Sequence, residues 1–368
     1  MTVRQRDPLL YPGEVLETVA GFPTLYHYQA SQKQHDHHTK LNPLVVCIPG
    51  SMHLSRIFYG GHKGSNPRDF LAYQLSKLHF DVLSLSYPLE TDPEIMPTTG
   101  ANFRIQDWGR QAAATVKKIM EEKDLTTRSI ILIAWSMAGR MIVPFNVSAK
   151  ELGLDVQQFI SFAATPGISS IRTPTPGMAC SEAGYFCIPD RLDNFYQQVK
   201  VMEKLNGGQT PIPKEIFLRE YVGGTPINLT GVRLKYDGKG AFIQDELTHE
   251  EDTKVFDVAN LPFITALYPT DILDASHALT DRASWGFLMS YQLEAMIGKQ
   301  GLQKVKGTAK WQELIDFVHA APERLCYPAP GSHFFFVGET SASEVAAKVV
   351  TLISVANEFK KELSLIIS

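Results

Sequence analysis

The segment Ser129-Ile130-Ile131-Leu132-Ile133-Ala134-Trp135 limits the fold of this chain more than any other. A strand with one wet face alternates apolar and polar residues. A strand without polar alternates needs cover on both faces, and the centre of a parallel sheet receives that cover from helices. The neighbouring segments repeat the arrangement. Leu44–Ile48, Asp81–Tyr87 and Gln157–Ala164 are short apolar runs ending in small or turn-forming residues, and Asp69–Leu78 and Ile105–Lys123 between them carry apolar side chains at helical spacing. Such alternation predicts an α/β architecture with a mostly parallel central sheet flanked by helices. Ahead of it, Gly13–Val19 and Phe22–Gln29, separated by Ala20-Gly21, predict a hairpin.

The rhythm stops after Thr165-Pro166-Gly167. A stretch rich in Pro and Gly follows, with one clear helix at Leu192–Leu205, and the βα pattern returns at Leu261–Tyr268. Helical segments at Ala283–Ile297 and Trp311–His319, a last strand at Arg324–Tyr327 and a helix from Ser343 to Lys361 complete the chain. The expected organisation is a core from residues 1–167 and 261–368, with 168–260 inserted as a lid or cap. A single large domain with an insertion accommodates 368 residues.

Composition removes several functions. With 35 Lys and Arg against 39 Asp and Glu, the net charge of -4 provides no basic footprint for nucleic acid. No run approaches the roughly 18 apolar residues of a membrane span. Met1–Pro8 leads into no apolar stretch of signal-peptide length, so a cytoplasmic protein is expected. Cys47, Cys180, Cys187 and Cys326 lack zinc-ligand spacing and are expected as free thiols, although Cys180 and Cys187 are near enough in sequence to pair if oxidised. The His35-Asp36-His37-His38 stretch has metal-binding residue types but no apolar framework to fix them. Neither a metal nor a cofactor is assigned.

The residues with chemical potential lie at strand ends. The central apolar run passes straight into a helix through Ala134-Trp135-Ser136-Met137-Ala138-Gly139, which puts Ser136 on the tight turn between them. Small residues at 134 and 138 leave that turn the room it needs. A serine here is also a common helix N-cap. Pro49-Gly50-Ser51-Met52-His53 follows the first core strand, Tyr268-Pro269-Thr270-Asp271-Ile272-Leu273-Asp274 ends the strand after the insertion, and Gly331-Ser332-His333-Phe334-Phe335-Phe336 lies between the last strand and the last helix.

In these four motifs and their order, the chain resembles the α/β-hydrolase superfamily over roughly Leu44–Ala164 and Leu261–Lys361. The resemblance departs from the family pattern at Ala134 and Ala138, where glycines are usual, and at Pro49, where a histidine often stands. It implies an α/β-hydrolase fold with Ser136 as nucleophile, His333 as general base and Asp271 as the acid that orients the histidine. Asp274 competes for that last role and is otherwise a cap for the next helix. The resemblance also implies an oxyanion hole from the backbone N–H of Met137 and of Ser51 or Met52, with Ser51 favoured. Trp135 and His53 are the candidate substrate contacts, whereas His277 reads as structural or solvated.

The implied reaction is hydrolysis of a carboxylic ester, thioester or lactone through an acyl-enzyme. Acyl transfer or cyclisation of a biosynthetic intermediate by the same three residues is the alternative, and a non-catalytic ligand-binding protein on the same fold is a third reading. Tyr185, Phe186, Phe195, Tyr196, Phe217, Tyr221 and Phe242 in the insertion suit a small-molecule substrate with an apolar acyl group or, more simply, the core of the insertion itself. Asp245–Asp252 reads as a solvated acidic stretch.

Overall fold

The central apolar run becomes a strand with no exposed residue, and its neighbours assemble around it. A computed structural model describes residues 9–32, 42–99, 101–168, 177–245 and 248–368. Met1–Pro8 and His35–His38 lie outside the described residues. Eight strands form the main sheet: β1 (Glu14–Val19), β2 (Phe22–Gln29), β3 (Leu44–Ile48), β4 (Val82–Leu85), β5 (Ile130–Trp135), β6 (Val156–Phe162), β7 (Ile264–Pro269) and β8 (Cys326–Ala329). Their order is β1-β2-β4-β3-β5-β6-β7-β8. The first hairpin is antiparallel and β2 runs antiparallel to β4, while every pairing from β4 to β8 is parallel.

The sheet is covered on both faces. The principal helices are α1 (Leu71–Lys77), α2 (Ile105–Glu122), α3 (Ile142–Glu151), α4 (Pro189–Leu205), α5 (Ala275–Val305), α6 (Lys310–His319) and α7 (Glu339–Ile366). Side chains of β5 alternate between two apolar clusters, as the period of two requires. Ile130, Leu132 and Ala134 join Trp108 of α2, Phe145 of α3 and Trp285 of α5. Ile131, Ile133 and Trp135 join Leu71 and Leu75 of α1 and Val349 and Leu352 of α7. Each fully buried aliphatic side chain contributes about 1.5–3 kcal/mol, so truncating Ile133 to Ala costs on the order of 2–5 kcal/mol.

The described residues between β6 and β7 make no strand of the main sheet. They contain a small antiparallel sheet of Ala179–Cys180, Tyr185–Cys187 and Thr225–Pro226, a hairpin of Leu234–Tyr236 and Phe242–Gln244, and helix α4. Cys180 faces Phe186 and Cys187 faces Ala179 across the strands, and both thiols are free. Tyr185, Phe186, Phe195, Tyr196, Phe217 and Tyr221 are buried. Among the described residues no helix is long and apolar enough to cross a membrane.

Candidate active site

Ser136 follows β5 without a linker, and its φ is +57°. For a residue with a Cβ this left-handed conformation costs about 1–2 kcal/mol, and only a surrounding structure that dictates the turn sustains it. Two neighbours do so. The Ser136 carbonyl accepts from Thr165 N–H at 2.8 Å, tying the turn to the end of β6. Gly50, after β3, lies so close that a Cβ there would sit 2.5 Å from Ser136 Cβ and 3.0 Å from its Oγ. The Pro-Gly loop therefore needs glycine for room beside the serine.

The strand order supplies the partners. β7 ends at the loop holding Asp271 and Asp274, β8 ends at the loop holding His333, and the two loops are joined where Thr270 and Asp271 N–H groups donate to the Gly331 carbonyl at 3.1 and 2.9 Å. His333 Nδ1 is 2.7 Å from Asp274 Oδ2. Ser136, His333 and Asp274 are buried and line one cavity of about 850 Å³. A sheet of this order with a strained serine turn after β5 decides the architecture. The chain has the α/β-hydrolase fold.

Within this α/β-hydrolase fold the acid loop differs from the sequence expectation. Asp271 does not reach His333. Its carboxylate accepts from Leu273 N–H at 2.8 Å and caps the short 3-10 turn Ile272–Asp274. That turn advances the chain by three residues and brings Asp274 to the imidazole. Linear spacing favours the first carboxylate after a strand, whereas a capping turn spends it. A buried His–carboxylate bond fixes the ring proton on Nδ1 and leaves the lone pair on Nε2. Burial holds the His333 pKa below its ordinary value, partly offset by the charge and hydrogen bond of Asp274. The ring is thus neutral at pH 7.

The loop after β3 sorts its candidates. Met52 N–H donates to Thr225 Oγ1 at 2.9 Å, with Tyr87 OH at 3.2 Å, so it is not available as an oxyanion donor. Ser51 and Met137 both line the cavity, and neither amide makes a backbone hydrogen bond among the described residues. His53 is not a substrate contact: it is fully buried, its ring packed against Trp135, Phe195, Phe217 and Phe334. Its Nδ1 lies 2.7 Å from the Ser51 carbonyl, and burial pushes its pKa down to about 3. It is a neutral donor that holds the Ser51 loop. Trp135 likewise stays out of the cavity lining. Its Nε1–H donates to the His333 carbonyl at 3.0 Å, so the side chain expected to touch substrate instead anchors the histidine loop.

Three features differ from the sequence expectation. Asp274, which stood second to Asp271 for the role of the acid, is one. His277 is another, buried on the cavity wall with Nδ1 2.8 Å from Asp281 Oδ1 and its ring centroid 5.1 Å from that of His333. Its i,i+4 spacing to Asp281 on α5 was the available signal. Asp274, His277 and His333 each place a possible metal-ligand atom within 4.8 Å of the others, but the His333 and His277 Nδ1 atoms are engaged by Asp274 and Asp281. The third is the polar character of the cavity wall. Asn194, Gln197 and Thr230 stand there beside Phe186, Ile188, Val232 and Leu273.

No protein-family model and no curated protein matches the chain. Among solved structures it is similar to MenH from S. aureus, at 12% identity over 90% of this chain and 98% of that one, with a TM-score of 0.43. It is similar also to a hyperthermophilic esterase from the archaeon Pyrobaculum calidifontis, at 14% over 93% and 83%, TM-score 0.44. A bacterial membrane phospholipase A is similar at 12% over 94% and 86%, TM-score 0.47. At such scores no substrate or activity carries over, and the fold rests on the strand order and the serine turn.

Proposed function

We propose that the protein is a serine hydrolase cleaving a carboxylic ester, thioester or lactone through an acyl-enzyme on Ser136. The observation that carries this reading is the strained serine at +57°, lining the same cavity as a neutral histidine whose Nδ1 is held 2.7 Å from a buried carboxylate. Ser136 Oγ attacks the acyl carbon and gives its proton to His333 Nε2. Asp274, in place of Asp271, fixes the tautomer and stabilises the imidazolium. The tetrahedral oxyanion is held by the N–H groups of Ser51 and Met137. Collapse breaks the bond to the leaving alcohol or thiol, which takes the proton from His333; water, deprotonated by the same nitrogen, then releases the acid.

The described part of 168–260 supplies Met178, Phe186, Ile188, Phe195 and Val232 to the cavity wall, which supports reading this segment as the cap. A volume of about 850 Å³ lies in the range of small-molecule sites. Its mixed lining suits an acyl group that offers hydrogen-bonding atoms as well as apolar surface, rather than a purely apolar chain. The test is labelling with a fluorophosphonate probe, with Ser136→Ala as control. The reading predicts one label, on Ser136, and loss of esterase activity in the variant. An unlabelled Ser136 in folded protein refutes it.

A further inference from the structure

Helix α4 belongs to the segment between β6 and β7, yet one of its faces runs along the whole His333 loop. Gln198, Met202, Leu205 and Asn206 recur at near-helical spacing along that face and the helix end. At the start of the loop, Ser332 Oγ donates to the Gln198 carbonyl at 2.7 Å and His333 N–H donates to Gln198 Oε1 at 3.1 Å. Just before these residues, Gly331 has a φ of +119°, and a Cβ on it would lie 2.6 Å from Met202 Sδ. At the far end, Asn206 Nδ2 donates to the Ser341 hydroxyl at 3.0 Å and to the Val337 carbonyl at 3.3 Å, while Ser341 N–H returns to Asn206 Oδ1 at 3.1 Å. A mobile cover would have no need to satisfy the backbone of the loop beneath it, because every such bond would have to break on opening.

His333 is consequently held at three points that come from three parts of the chain. Trp135 of β5 takes its carbonyl, Asp274 takes its Nδ1, and Gln198 of α4 takes its backbone N–H. The Gln198 link is the one that no sequence motif marks. We propose that Gln198 is a positioning residue for His333, and that α4 is part of the mount of the base rather than a movable cover. This rests on the reading of His333 as the base. Substrate entry then falls to the remainder of the cavity wall, where Met178, Val232 and Leu273 stand.

Two variants test it. Gln198→Met keeps length and removes the acceptor. Gln198→Glu keeps an acceptor oxygen and adds a negative charge beside His333. For Gln198→Met, kcat on a short p-nitrophenyl ester is expected to fall on the order of tenfold or more with KM within about twofold, because misplaced reacting groups lose rate and not ground-state binding. For Gln198→Glu, most of kcat returns, and the acid limb of the pH profile moves to higher pH because the new carboxylate favours the imidazolium. The His333 ring titration, followed by NMR on histidine-labelled protein, moves upward by roughly half a unit or more in the same variant. The titration checks that position 198 faces His333, and the kcat loss at unchanged KM in folded Gln198→Met is the readout that a structural role alone would leave in place.

A folded Gln198→Met enzyme with wild-type kcat and pH profile overturns the proposal, as does an unmoved His333 titration in Gln198→Glu. If Gln198→Met does not fold, Gln198→Ala takes its place in the kcat and KM comparison, beside the Gln198→Glu titration. Because that readout needs no turnover, a wild-type Ser136 that resists fluorophosphonate defeats the hydrolase reading separately from the mount.

Discussion

Replacing each carboxylate of the acid loop by its amide separates the two by roughly four orders of magnitude in rate. Asp274 is buried, 2.7 Å from His333 Nδ1, whereas the Asp271 carboxylate accepts from Leu273 N–H at 2.8 Å. Asp274→Asn preserves shape but presents an amide N–H or an uncharged oxygen to the ring. The amide N–H forces the proton onto Nε2, the atom that must accept from Ser136. In triads of this type the equivalent change lowers kcat by about 10⁴, which at 1.36 kcal/mol per decade is about 5 kcal/mol of transition-state stabilisation. Asp271→Asn retains an oxygen for Leu273 N–H and is expected to keep kcat within about twofold, while Asp271→Ala loses the cap at a stability cost of about 0.5–2 kcal/mol. The assay is kcat on a short p-nitrophenyl ester at pH 8, with thermal unfolding as the control for folding. The assignment is wrong if Asp274→Asn keeps a tenth of wild-type kcat, or if Asp271→Asn is the crippled enzyme.

Four further outcomes follow from the same geometry. Gly50→Ala puts a Cβ 2.5 Å from that of Ser136, so either the loop or the serine must shift; overpacking of this kind costs about 1–3 kcal/mol in stability, and kcat should drop about a hundredfold, with wild-type activity contradicting the account. Trp135→Phe removes the buried bond to the His333 carbonyl, and denaturant titration should register a loss of about 1–3 kcal/mol together with a lower kcat. Since burial holds His333 below its ordinary value, kcat/KM should rise with pH through a midpoint under 6.5 and be flat across neutrality, and a midpoint above 6.5 would contradict the neutral base. His53, with a folded pKa of about 3 against 6.5 unfolded, contributes stability that is full above 6.5 and is lost as pH falls toward 3; at about 1.4 kcal/mol per unit its share between pH 6.5 and 5 is about 2 kcal/mol, and His53→Phe should show a shallower acid slope in urea titrations, an identical slope counting against it.

The sequence by itself determined the parts of this protein that obey local rules. Unbroken apolar runs mark strands β3 and β5, because burial on two faces disfavours polar side chains, and the segments that follow β3, β5 and β8 carry Gly50, Ser136 and His333 in chain order. Those signals are local, and they survive without knowledge of the partner.

What only the tertiary structure decided are the contacts between distant segments. Asp271 and Asp274 are the same residue type three positions apart, and the choice between them depends on a capped turn and on where β8 delivers the histidine. Met52 as an oxyanion donor, and His53 and Trp135 as substrate contacts, are what their motifs suggest, but Thr225, Phe195 and the His333 carbonyl, all far along the chain, engage them instead. Gln198 carries no motif at all. A backbone N–H buried 135 positions away must find an acceptor, and only the packed chain reveals which side chain provides it.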